Sequence, residues 1–75
     1  MEKFERKSSI TGKYYNLYDC VRILNLNQVD AYLKYGVMPL HIYVSKDKNN
    51  KPVIVFLFDR EETKEVYDLW CKHEL

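Results

Sequence analysis

Between residues 53 and 58 the chain runs V-I-V-F-L-F, with no polar residue to mark one side as solvent-facing. In a strand, Val53, Val55 and Leu57 point to one face and Ile54, Phe56 and Phe58 to the other, so this segment predicts a strand apolar on both faces. Upstream, P-L-H-I-Y-V-S-K alternates cleanly: His41, Tyr43 and Ser45 on one side, Leu40, Ile42 and Val44 on the other. D-K-N-N-K-P between the two runs is rich in residues that tolerate left-handed backbone and is closed by a proline. Residues 40–58 are therefore read as a β-hairpin.

Helical spacing appears twice. Asn25 precedes Leu26, Val29, Tyr32 and Leu33, with Gln28 at the capping-box position and Gly36 placed to end the helix in a left-handed turn. This predicts a helix over 26–35. Asp59 and Glu62 mark a second start, followed by Thr63, Val66, Tyr67 and Trp70 on one stripe. Glu61, Glu62 and Glu65 suit the positive end of its dipole, and Asp68 and Lys72 form an i, i+4 pair. Residues 14–24 are β-rich and read as a first strand, with a bend or bulge at Asp19.

The predicted order is β-α-β-β-α. It is an α+β domain with a three-stranded, mainly antiparallel sheet and two helices packed on one face. Residues 1–12 are polar and charged, and are expected to form a mobile N-terminal arm before a single domain over 13–75. Two helices on one face leave the other face of the sheet without dedicated cover. Either the first strand and the arm, through Phe4 and Ile10, fold over it, or another molecule does.

Composition narrows the function. Seventy-five residues make one domain, too small for a deep pocket. Net charge is +1, spread as +2 over residues 1–13, zero over 14–36, +2 over 37–58 and −3 over 59–75, so no strongly basic face is assured. Cys20 and Cys71 stand 51 positions apart with no C-x-x-C and no cluster with histidine, which favours reduced thiols in cytosol over a disulfide. His41 and His73 are isolated, and no metal or cofactor is expected. No apolar leader opens the chain, no run is long enough to span a bilayer, and the terminal K-H-E-L is read as coincidence rather than a retention signal, so a cytoplasmic protein is expected.

Catalysis needs a nucleophile beside a base, paired carboxylates or a metal, and no motif surrounds any serine, threonine or cysteine here. Gly12 and Gly36 stand alone, so no phosphate loop is present. The protein is not expected to be an enzyme. The expected function is protein binding, with itself as one possible partner in a homodimer, through His41, Tyr43, Phe56 and Phe58. The alternative is nucleic-acid binding through the hairpin lysines Lys46, Lys48 and Lys51 with nearby tyrosines. K-P-V-I-V-F-L-F only loosely echoes an RNA-binding RNP1 strand, sharing Lys51 and Phe58 while Pro52, Val53 and Val55 depart from it.

Y-Y-N-L-Y-D, R-I-L-N-L-N-Q-V-D-A-Y-L-K-Y-G-V and V-F-L-F-D-R-E-E-T-K-E-V-Y-D-L-W together resemble a group of short uncharacterised proteins from phages, prophages and mobile elements of Gram-positive bacteria. The similarity spans residues 14–72, and its motifs are structural. It implies a cytoplasmic, phage-derived protein of a kind that often binds host factors, and it carries over no active-site residue.

Overall fold

The computed structural model describes residues 5–74. Phe4, expected in the covering arm, lies outside them. Strands β1 (Glu5–Lys7) and β2 (Tyr14–Asn16) form an antiparallel pair. A 3₁₀ turn (Leu17–Asp19) leads into β3 (Cys20–Ile23), then α1 (Leu26–Tyr35), β4 (His41–Lys46), β5 (Pro52–Asp59) and α2 (Arg60–Cys71). The main sheet is antiparallel in the order β3–β5–β4, and the architecture is α+β.

Local chemistry sets the helix ends. Asn25 Oδ1 accepts from the N–H groups of Asn27 and Gln28, satisfying two donors that the first turn leaves open. Gln28 does not reach back to complete the expected box; its side-chain amide donates to Tyr32 Oη at 2.9 Å. At the other end Gly36 takes φ 101°. Its N–H bonds to Leu33 O and that of Val37 to Tyr32 O, the paired bonds of a Schellman motif. Asp59 caps α2 through the N–H of Glu61, and Thr63 Oγ1, rather than Glu62, completes the turn by donating to Asp59 O. The expected Asp68–Lys72 pair forms at 3.0 Å but is well exposed and stabilises by only about 0.3–0.5 kcal/mol.

Register decides which residues share a face. Val21 lies opposite Phe58 and Ile23 opposite Phe56, on the side that receives both helices. There Val29 and Tyr32 of α1, Val66 of α2, Val37 and Phe58 form the main core, with Val21, Ile23, Phe56 and Trp70 packed around it. The rings of Tyr32 and Phe58 meet edge to face, 5.2 Å between centroids. Tyr67, expected on the apolar stripe of α2, is exposed instead.

The opposite face has its own cover. Cys20, Leu40 and Leu57 are buried there against Tyr15 of β2. Ser8, in the turn that joins β1 to β2, is buried and ties the small hairpin to the sheet. Its Oγ donates to Leu40 O at 2.7 Å and accepts from the N–H groups of Ile10 and Thr11. Residues 5–12, expected as an arm, are thus half of a paired hairpin laid over the sheet. The reason is backbone pairing: Glu5, Arg6 and Lys7 bring no apolar side chain, but their main chain pairs with residues 14–16. The first strand likewise differs from the single run expected over 14–24. Asn16 Oδ1 accepts from Tyr18 N, which starts the 3₁₀ turn and splits the segment into β2 and β3.

Burial pushes the Cys20 thiol up, reinforced by the nearby carboxylates of Asp59 and Asp19, and burial also raises the phenols of Tyr15 and Tyr32. Groups whose folded values are raised contribute their full stability below the unfolded values and lose it as pH climbs through the folded ones. Stability is therefore expected to hold up to about pH 8.5 and then fall across the thiol and phenol range. In urea titrations at several pH values, Tyr32→Phe should flatten the upper part of that fall; an unchanged slope would contradict the assignment.

Candidate binding surface

The four residues expected to form one surface do not lie together. His41 and Tyr43 stand on the hairpin-covered face, opposite Leu57 and Val55, with their rings stacked at 5.6 Å between centroids. Phe56 and Phe58 point to the helix side, and Phe58 is 0% exposed. The cause is the turn. A two-residue loop at Asn49 and Asn50 would have set Tyr43 against Phe56 and His41 against Phe58. The turn formed is one residue longer: Asp47 N bonds to Lys51 O, Asn50 N bonds to Asp47 O, and Asn50 adopts φ 63°. This is the bulged three-residue loop, and the one-residue difference moves each β4 side chain to the other face relative to β5.

The same register corrects the reading of Leu40, Ile42 and Val44 as one buried row. Leu40 precedes β4 and is buried with Leu57 and Cys20 on the hairpin side. Ile42 and Val44 lie on the helix side, opposite Phe56 and Ile54. There α2 packs on β5, while α1 packs on β3 and on α2, so the β4 margin is left open. Ile42 is 44% exposed, Ile54 46% and Val44 69%. Alternation identified the Ile42/Val44 row in the sequence, but nothing local signalled that the helices stop short of it.

The backbone beside that row is also open. Because Asp47 and Lys51 form a hydrogen-bonded pair, alternation along the antiparallel ladder turns the N–H and C=O groups of Tyr43 and Ser45 toward β5. Those of Ile42, Val44 and Lys46 point outward, and β4 is an edge strand. Ser8 Oγ occupies the carbonyl of Leu40 at one end of the run. Asp47, which caps the turn through Asn49 N and Lys51 N, closes the other.

Lys46, Lys48 and Lys51 gather at the hairpin turn as expected, all exposed, and none takes part in the ion pairs of the described residues. A cleft of about 310 Å³ between β3 and α2 is lined by Val21, Ile23, Tyr32, Thr63 and Tyr67. Its two rim cations are already engaged: Arg60 donates to Cys20 O and Lys64 pairs with Glu61. Cys20 and Cys71 are both free thiols, the first buried and the second exposed. Among the described residues no helix is long and apolar enough to cross a membrane, and no three His, Cys, Asp or Glu side chains cluster for a metal.

Fold and surface together define a small α+β domain with one guarded sheet face and one unguarded strand edge. Comparison with protein-family models, with curated proteins and with solved structures gives no match.

Proposed function

We propose that the protein is a small, non-enzymatic protein-binding module that takes an extended strand onto the edge of β4. The observation that carries this reading is the outward backbone of Ile42, Val44 and Lys46 beside the exposed row of Ile42, Val44 and Ile54. Main-chain groups on such an edge give an incoming strand its affinity, and the adjacent side chains give it selectivity. Sheet edges are ordinarily guarded by inward charge, proline or a bulge. Along β4 the register is continuous, no proline intervenes, and the single charged residue is Lys46 at the end. The cytoplasmic setting implied by the resemblance to phage proteins goes with this reading, since both thiols would stay reduced there.

Val44→Lys tests it. The side chain is exposed, so the change should alter stability by less than about 0.5 kcal/mol. With immobilised wild type and variant as baits for bacterial lysate supplemented with free wild-type protein, the immobilised wild type should retain a protein, either a lysate component or the added copy, that the variant loses at least about tenfold, consistent with burial of a charge at the strand contact. The same proteins on both baits would contradict the reading.

Nucleic-acid binding is favoured by one observation, the exposed trio of lysines on a turn that Asp47 caps through the N–H groups of Asn49 and Lys51. Nuclease-sensitive material that survives Val44→Lys but disappears with Lys48→Glu would establish it in place of strand addition.

A further inference from the structure

We propose that the strand added to β4 is the β4 of a second copy, the two running antiparallel about a two-fold axis at Val44. The proposal rests on the strand-adding reading above and names its occupant.

The free backbone fixes the register. Outward groups belong to Ile42, Val44 and Lys46, a run symmetric about Val44 and closed at both ends by Ser8 and by the Asp47 turn. In an antiparallel ladder, residues that exchange hydrogen bonds stand directly opposite one another. Val44 opposite Val44, with Ile42 opposite Lys46 on either side, uses every free group. Sliding the copies so that Ile42 meets Val44 sets Lys46 against Leu40, whose carbonyl Ser8 already holds. Sliding the other way sets Ile42 against Lys48, inside the turn.

Side chains agree with that register. Ile54 lies opposite Val44 within each chain, so pairing makes one apolar row of Ile54, Val44, Val44 and Ile54 across the joined sheet. Val44, at 69% the most exposed large hydrophobic residue among those described, falls on the axis. Lys46 comes to lie beside Ile42 of the other copy, where its methylene stem covers the isoleucine while the ammonium stays in water. On the opposite face His41 meets Asp47, and no two like charges stand opposite. The product is a six-stranded antiparallel sheet with all four helices on one side.

Disulfide trapping reads the register. With Cys71→Ser removing the exposed thiol, Val44→Cys places two cysteines in a hydrogen-bonded pair about 5.5 Å apart between Cα atoms, within disulfide reach. Ser45→Cys, also at an exposed position, leaves its two copies on a diagonal of about 7–8 Å, at or beyond that reach. Under oxidised glutathione, Val44→Cys should form a covalent dimer at least about tenfold faster than Ser45→Cys, and wild type should sediment as a reversible dimer. Equal or faster trapping of Ser45→Cys overturns the register. No trapping together with a monomeric wild type at every concentration overturns the second copy as occupant. Strand addition itself is then judged separately, by whether Val44→Lys releases a retained protein.

Discussion

Phe58→Ala is expected to leave the protein without a cooperative thermal transition, or to lower its Tm by more than about 15 °C. The Phe58 ring is fully enclosed, meets Tyr32 edge to face and touches core residues from both helices. Truncating a phenylalanine in such a site removes about 3–5 kcal/mol through lost burial and the cavity left behind. At roughly 0.05–0.15 kcal/mol per residue, a chain of 75 residues has about 4–11 kcal/mol in total, so one substitution consumes much of it. Thermal melts followed by circular dichroism check this. A Tm within a few degrees of wild type would mean that Phe58 is not enclosed, and would return it to the binding surface where pattern alone had placed it.

Ser8→Ala is expected to loosen the small hairpin while leaving the helix-side core in place. One hydroxyl there satisfies three main-chain groups: the carbonyl of Leu40 and the N–H groups of Ile10 and Thr11. Its loss should cost about 1–3 kcal/mol, because the Leu40 carbonyl loses its buried partner. The bond spans 32 positions and is a principal link between the hairpin and the main sheet. Amide exchange should therefore quicken at Ser8 and Gly12, whose N–H groups close the hairpin turn, with little change in α1 and α2. Uniform acceleration through the chain, or none, would show that the hairpin is not a separable cover.

These two residues mark what could and could not be read from the chain. Helix α1 was legible to the residue because Asn25 and Gly36 act within a few positions of themselves, and Asp59 announced α2 in the same way. The double-sided apolar character of β5 was legible too, as was the hairpin that contains it. Which β4 residues accompany which side of β5 was not, since a turn of three residues in place of two exchanges the two sets. The cover on the second face was hidden for a different reason. It depends on main-chain pairing by Glu5, Arg6 and Lys7 and on one serine hydroxyl, and neither leaves an apolar period. The exposed margin of Ile42, Val44 and Ile54 follows from where α1 and α2 come to rest, a tertiary outcome that no local spacing encodes.

The question raised by the apolar run at 53–58 is thereby divided. Its odd-numbered side is covered from within the chain, by Tyr15 and the Ser8 turn, and its even-numbered side is covered by the helices as far as Phe56. Ile54 and its β4 neighbours remain open, and with them the outward backbone groups on which strand addition depends. Residue-resolved amide exchange of the wild-type protein over a concentration series tests the proposed pairing of two copies most directly. Pairing between copies at β4 requires the amides of Ile42, Val44 and Lys46 to exchange quickly when dilute and to slow together as concentration rises, while Tyr43 and Ser45 stay protected throughout. Amides at 42, 44 and 46 that exchange at the same rate across the whole range would contradict it.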